Sequence, residues 1–155
     1  MTETYAGLGT KLRDLLERLD SDLANFEVEM GLSPYRPRYS PFVRALVAGG
    51  PASIRDLAEA VGVTHSAASQ TVAQMARDGL VEARVGEDAR RRMIHLTERA
   101  EELMPLIDRE WAIDEAAIAN LDEELPCRLL DVVDAALAAL ERRSWHQRLR
   151  DAASQ

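Results

Sequence analysis

The chain has 155 residues, of which 46% are hydrophobic and 30% charged, a composition typical of a folded globular protein and not of a disordered one. No stretch approaches the roughly 20 apolar residues of a membrane helix, and the first residues lack the pattern of a signal peptide, so we expect a cytoplasmic protein. The single cysteine and three scattered histidines exclude an intrachain disulfide and argue against a metal, and we expect no cofactor.

The net charge of -8 is unevenly distributed along the sequence. Residues 64–99 carry six arginines against five acidic residues, whereas residues 101–141 hold twelve acidic residues and two arginines. The total charge therefore does not exclude a nucleic acid as partner, because the location of basic residues matters more than their sum. An enzyme is not expected, since no paired nucleophile and base, phosphate-binding loop or metal-ligand cluster is present.

The N-terminal part of the chain predicts two helices separated by a proline-rich connection. Seven apolar residues recur at steps of mostly three and four, which predicts one face of a long helix: Leu8, Leu12, Leu15, Leu19, Leu23, Phe26 and Met30. Pro34 and Pro37 lie in the connection that follows. Pro41 suits the first turn of a second, shorter helix that ends near Ala48.

Residues 53–81 contain two short amphipathic helices joined by a turn. Ser53 is placed to cap the first helix, Gly62 permits a sharp turn, and Thr64 is placed to cap the second helix. The second helix has an apolar stripe, formed by Ala68, Val72 and Met75. This arrangement predicts a helix-turn-helix, whose second helix lies in the major groove of DNA.

The outer face of that second helix offers four polar residues to DNA. Ser66, Ser69 and Gln70 can bond base edges or phosphates, and the amide of Gln70 matches the major-groove edge of adenine. His65 can reach a phosphate beside the N–H groups of the first turn. The alternative is a solvated polar face that makes no contact with a ligand.

Two alternating apolar and polar segments surround GEDARR and predict a two-stranded hairpin with a charged tip. A guanidinium at such a tip can enter the narrow minor groove, and Asp88 can hold Arg90 in position by a charge-assisted hydrogen bond. We expect Arg84 and Arg92 to contact DNA as well, whereas Arg91 should be solvated or paired with an acid. The alternative is a solvated basic hairpin, which the preceding helix-turn-helix makes less attractive.

The C-terminal part of the chain predicts two further helices. Thr97 opens a long helix that runs to about Asn120, with a kink at Pro105. A final helix should begin near Pro126 and run past Leu140, with the last five residues of the chain frayed. The apolar stripes of these helices and of the first helix exceed what a small core can cover, which favours a homodimer over a monomeric bundle.

This order of elements resembles the MarR family of winged-helix transcriptional regulators. The segment DARRRMIHLT at 88–97 is similar to the family's wing signature DxRxxxxxLT. The segment at 57–81, LAEAVGVTHSAASQTVAQMARDGLV, looks like the family's helix-turn-helix pattern. The resemblance implies a mainly α protein with a winged helix-turn-helix at residues 39–98, between N-terminal dimerisation helices at 1–38 and C-terminal ones at 99–155.

The resemblance also implies a function, a regulator that binds pseudo-palindromic double-stranded DNA as a homodimer and responds to a small molecule. Tyr39, Phe42 and Trp111 fall in the elements that bind effectors in the family, although aromatic residues at such positions are more often ordinary core residues than ligand contacts. Cys127 follows a proline near a helix start, and we expect a buried inert thiol there over an oxidant sensor. The competing hypothesis is a winged-helix adaptor that binds protein and no DNA.

Overall fold

The computed structural model describes residues 7–85 and 92–154. The elements in these ranges, in chain order, are helices α1 (Leu8–Glu29), α2 (Ser40–Gly49), α3 (Ile54–Val61) and α4 (His65–Arg77), strands β1 (Val81–Val85) and β2 (Arg92–Leu96), and helices α5 (Glu98–Glu123), α6 (Leu129–Arg142) and α7 (Trp145–Ala153). The chain divides into two compact units, Met1–Glu110 and Trp111–Gln155. Within the described ranges, every helix is too short or too polar to cross a membrane.

The predicted helix-turn-helix is confirmed in the first unit. Ser53 caps α3 in a capping box with Asp56, whose backbone N–H donates to the serine hydroxyl at 3.2 Å. Gly62 ends α3 with a φ of 74°, a left-handed conformation that favours glycine. Thr64 then caps α4 by accepting a hydrogen bond from the Ala67 N–H at 3.2 Å.

The predicted hairpin is also confirmed, and its register is antiparallel. Val81 pairs with Leu96 at the base, and Val85 pairs with Arg92 at the last described pair. Ile94 is buried and forms an isolated bridge with Ala52, so the loop before α3 extends the sheet by one residue pair. This bridge fixes the wing to the helix-turn-helix through the backbone.

A proline-rich connection joins α1 to α2, as the sequence predicts. It buries Leu32 and Tyr35, and it ends in a short 3₁₀ turn, Pro37–Tyr39, that packs beside α2 and α4. Pro41 lies in the first turn of α2, as expected. The 3₁₀ turn was not predicted, and it brings the side chain of Tyr39 into the core of the first unit.

The C-terminal helices differ from the prediction at two points. Helix α6, the one predicted to begin near Pro126, begins at Leu129. The Leu129 N–H donates to Asp122 Oδ1 at 2.8 Å, which satisfies a donor at the start of this helix. The expectation that the last five residues fray is wrong for residues 151–153, which belong to α7, a helix that starts with a capping box of Ser144 and Gln147. Neither α6 nor α7 contains a buried residue.

Candidate nucleic-acid interface

Helix α4 has one buried face and one exposed polar face. Ala68, Val72 and Met75 are at most 5% exposed, which fixes the rotation of the helix about its axis. On the other side, the exposed residues are His65, Ser66 and Gln70, whereas Ser69 is only half-buried. The structure therefore brings three of the four predicted helix residues to one open surface, and it leaves the Ser69 side chain partly covered.

The C-terminal end of α4 is held by a polar network centred on Asp78, the residue that follows the helix. The hydroxyl of Tyr39 donates to Asp78 Oδ2 at 2.5 Å, and Gln74 Nε2 donates to Asp78 Oδ1 at 3.1 Å. Arg36 Nε lies 3.8 Å from the same carboxylate. The network links the 3₁₀ turn to the end of the helix and so supports the position of α4.

The charge on Asp78 is stabilised by this network. The hydrogen bond from Tyr39 lowers the pKa of Asp78 most, with further lowering by Gln74, Arg36 and Arg77, while partial burial opposes the shift. Burial raises the pKa of Tyr39, and its hydrogen bond to the Asp78 carboxylate raises it further. Asp78 therefore stays ionised, and Tyr39 stays protonated, over a wider pH range than either group alone.

Arg84 and Arg92, the two arginines in the described part of the hairpin, do not lie side by side. The hairpin register opposes Arg84 to Met93 and Arg92 to Val85, so the two arginines project from opposite faces of the sheet. Arg84 Nε donates to Glu82 Oε1 at 2.8 Å. Its side chain also lines a groove of about 470 Å³ that includes Glu98 and Glu101. Both arginines are exposed, but the carboxylates near Arg84 make its position less favourable for a phosphate.

Part of the predicted wing site lies outside the described residues. Residues 86–91, which include Asp88, Arg90 and Arg91, are not described. The proposed support of Arg90 by Asp88 therefore stays a prediction.

The candidate effector residues lie in the interior or at its edge. Tyr39 and Phe42 are 0% and 4% exposed and form part of the core of the first unit. Trp111 is half-buried and belongs to the second unit. Their role in binding a small molecule stays a prediction. The expectation for Cys127 is wrong, since its thiol is exposed and not buried.

Two basic residues that the sequence patterns did not predict as site residues flank the end of α4. Arg38 and Arg77 line one groove with Gln70, Thr71, Ala73 and Gln74. Arg77 could have been found from its spacing, because it continues the exposed stripe of α4. Arg38 could not, because nothing in the local pattern around Pro37 indicates that this turn packs beside α4.

Together these features define a winged helix-turn-helix protein, with α4 in the position of the recognition helix and the hairpin as its wing. Residues 36–92 match the sequence model of the MarR family, which confirms the predicted resemblance for the winged-helix region. No curated protein sequence matches the chain closely enough to count as a relative.

Solved structures of transcriptional regulators share this fold. PcaV from Streptomyces coelicolor, in complex with its natural ligand, has a TM-score of 0.67 and 18% identity, covering 93% of this chain and 96% of its own. The regulator MOSR of M. tuberculosis, in complex with DNA, has a TM-score of 0.65 and 20% identity, covering 86% and 96%. SlyA has a TM-score of 0.64 and 17% identity, covering 92% and 97%. The predicted fold class is thereby confirmed.

Proposed function

We propose that this chain is a MarR-like transcriptional regulator that binds pseudo-palindromic double-stranded DNA as a homodimer. The observation that carries the proposal is helix α4, whose apolar side is buried while Ser66 and Gln70 are exposed on the opposite side. A helix with one buried apolar side and one exposed polar side can present donors and acceptors to base edges in a major groove. The similar fold of MOSR, which was solved with DNA, supports the same reading.

A second copy of the chain is the partner that fits the remaining apolar surface. In α1, Leu8, Leu12 and Leu19 are 51%, 49% and 43% exposed and follow one helical stripe. In α6, Leu130 and Leu137 are 54% and 55% exposed. Exposed stripes of this length are typical of protein interfaces, and a two-fold dimer would cover the same stripes in both copies. Dimerisation would also supply the second recognition helix that a palindromic site requires.

The proposed regulator also responds to a small molecule. The resemblance to the MarR family carries this part, with support from the similar fold of PcaV, which was solved with its natural ligand. Benzoate and its hydroxylated derivatives are suitable first probes, because aromatic side chains such as Trp111 stack well on aromatic rings. Binding would raise the melting temperature of the protein and change its affinity for duplex DNA. A probe set that changes neither quantity would remove these acids from the list of candidate effectors.

The direct test is duplex binding by the full chain as a function of salt concentration. Duplexes selected from a genomic or random pool should bind with an affinity that falls linearly with salt on a double-logarithmic plot, because bound counterions are released. In the selected duplex, Gln70→Ala should cost about 1–3 kcal/mol of discrimination at one base pair while leaving binding to unrelated duplexes unchanged. Glu59→Ala, an exposed change on α3, serves as the control.

The opposite result would favour the adaptor hypothesis. If the wild-type chain bound no duplex at low salt, the proposed regulator would be excluded, and α4 would be left as a surface for another protein.

A further inference from the structure

A polar groove follows the C-terminal half of α4. Its volume is about 370 Å³, and it is lined by two arginines, two glutamines, a threonine and an alanine: Arg38, Arg77, Gln70, Gln74, Thr71 and Ala73. Among the residues that the structure describes, no acidic residue lines the groove, so its chemistry suits an anion that accepts several hydrogen bonds.

Arg77 lies at the far end of the exposed stripe of α4. Ser66, Gln70, Ala73 and Arg77 follow one another at steps of four, three and four, so they share one face of the helix. At 1.5 Å per residue, Arg77 lies about 16 Å along the axis from Ser66. The major groove is about 12 Å wide. A helix that reads bases with Ser66 and Gln70 therefore reaches the edge of the groove, and its phosphates, near Arg77.

The guanidinium of Arg77 is oriented by its neighbour on the helix. Its Nε and Nη2 atoms donate to the Gln74 amide oxygen at 3.2 Å and 2.6 Å, and Gln74 in turn donates to Asp78. Arginine has five N–H donors, so this contact uses only part of its capacity and leaves the other edge of the guanidinium for an acceptor. Holding the side chain in advance reduces the entropy lost on binding.

Arg38 reaches the same groove from a different element, the 3₁₀ turn. Its guanidinium lies 5.5 Å from the centroid of the Tyr39 ring, a cation–π contact. Tyr39 is fully buried and hydrogen-bonded to Asp78, so the ring is a fixed support. The neighbouring Arg36 instead lies beside the Asp78 carboxylate. Two arginines only two positions apart thus have different surroundings, and Arg38 is the one that lines the groove.

We propose that Arg38 and Arg77 together bind one phosphate of the DNA backbone in this groove. The inference rests on the proposed function, and it adds a contact from two residues that the predicted helix and wing sites do not include. A backbone phosphate fits better than a free anion, because the groove is open and a duplex held by the rest of α4 would deliver the phosphate to it. The contact fixes the depth and register of α4 on the duplex and reads no base.

The test compares Arg38→Gln and Arg77→Gln with Arg18→Gln as a control. Arg18 pairs with Asp14 on the exposed side of α1, so its variant removes the same charge at another place. The selected duplex and an unrelated duplex are each titrated over a range of salt. Each groove variant should weaken both duplexes by about tenfold at low salt and lower the salt slope, by at most about 0.9 per protomer, or about 1.8 for two protomers, because the two arginines share one phosphate. The control should keep the wild-type slope.

Several results would overturn the inference while leaving the proposed function intact. One is a wild-type salt slope in both groove variants. Another is a loss confined to the selected duplex, which would assign the arginines to base reading. A third is that inorganic phosphate binds in the groove of the wild type while the variants keep the wild-type duplex affinity, which would mark a free-anion site. If the wild type bound no duplex at all, the proposed function would fail together with the inference.

The variants must be folded for this comparison. Thermal unfolding checks each one, and Arg38→Lys and Arg77→Lys keep the positive charge at each position. These variants should recover part of the lost affinity and the wild-type salt slope, because lysine also binds phosphate but as a point charge. Lysine variants that bind like the glutamine variants would contradict a phosphate contact.

Discussion

Helices α4 and α6 have equally regular apolar stripes, but the stripe of α4 is buried and the stripe of α6 is exposed. In α4, Ala68, Val72 and Met75 are at most 5% exposed. The stripe of α6 consists of Leu130, Val133, Leu137 and Leu140. These four residues remain between 40% and 55% exposed. The comparison teaches that periodicity identifies the apolar face of a helix but not what covers it: the first stripe is buried within the chain, whereas the second is left exposed and is the stripe that the proposed dimer would cover.

The largest effect is expected from charged substitutions in the exposed stripe of α6. The double variant Leu130→Asp, Leu137→Asp would bury four charges in a two-fold interface, so we expect a monomer and a loss of duplex affinity of at least about 100-fold. Sedimentation velocity and duplex titration measure the two quantities. Ala135→Asp is the matched control, because Ala135 is exposed on the opposite face of the same helix. A dimer that persists in the double variant would exclude α6 from the interface.

Two alanine variants compare the buried stripe of α4 with the exposed stripe of α6. Met75→Ala should lower the free energy of unfolding by about 2–5 kcal/mol at any protein concentration, because Met75 is fully buried within the chain. Leu137→Ala should destabilise the protein through dimerisation, so its effect should depend on protein concentration. Chemical denaturation at two concentrations separates these cases. Equal, concentration-independent losses would mean that Leu137 is covered by its own chain.

A smaller effect concerns the polar network that holds the end of α4. Tyr39→Phe keeps the aromatic ring but removes the hydrogen bond to Asp78, and we expect a loss of about 1.5–3 kcal/mol near neutral pH. Because the folded pKa of Asp78 is lowered, the stabilisation is present above its ordinary value of 3.8 and is lost as pH falls through the folded pKa. The difference between wild type and variant should therefore shrink in acid. Denaturation at a series of pH values measures it, and a constant difference would contradict the assignment.

The smallest effect is expected at the start of α4. Thr64→Ala removes the oxygen that accepts the Ala67 N–H, which should cost about 1 kcal/mol of stability. Thr64→Ser keeps that oxygen and should stay within about 0.5 kcal/mol of the wild type. Thermal unfolding measures both variants. Similar losses in the two would show that the methyl group, not the cap, stabilises this end of the helix.

Local signals in the sequence predicted most of the fold. Ser53, Gly62 and Thr64 each stand where a cap or left-handed turn was expected, and alternation in the hairpin gave the correct strands. The capping box of Ser144 and Gln147 was equally local but was overlooked, so residues 151–153, which belong to α7, were wrongly expected to fray.

The features that escaped prediction depend on tertiary contacts. Tyr39 and Asp78 are 39 positions apart, and only the folded turn brings the hydroxyl and the carboxylate together. The same turn brings Arg38 into the groove beside Arg77. The exposure of Cys127 likewise had no local signal in the sequence. Sequence patterns thus predicted the recognition helix but not the residues that support its far end.

The spacing of half-sites on DNA tests the account most directly. Two copies joined by their apolar stripes would present two α4 helices at a fixed separation, so they should bind half-sites about one helical turn apart. Inserting five base pairs between the half-sites of a selected duplex turns one site to the opposite side of the helix. We predict that this insertion reduces affinity to that of a single half-site, with each bound dimer engaging only one half-site. Unchanged affinity and stoichiometry after the insertion would contradict two α4 helices held at a fixed separation.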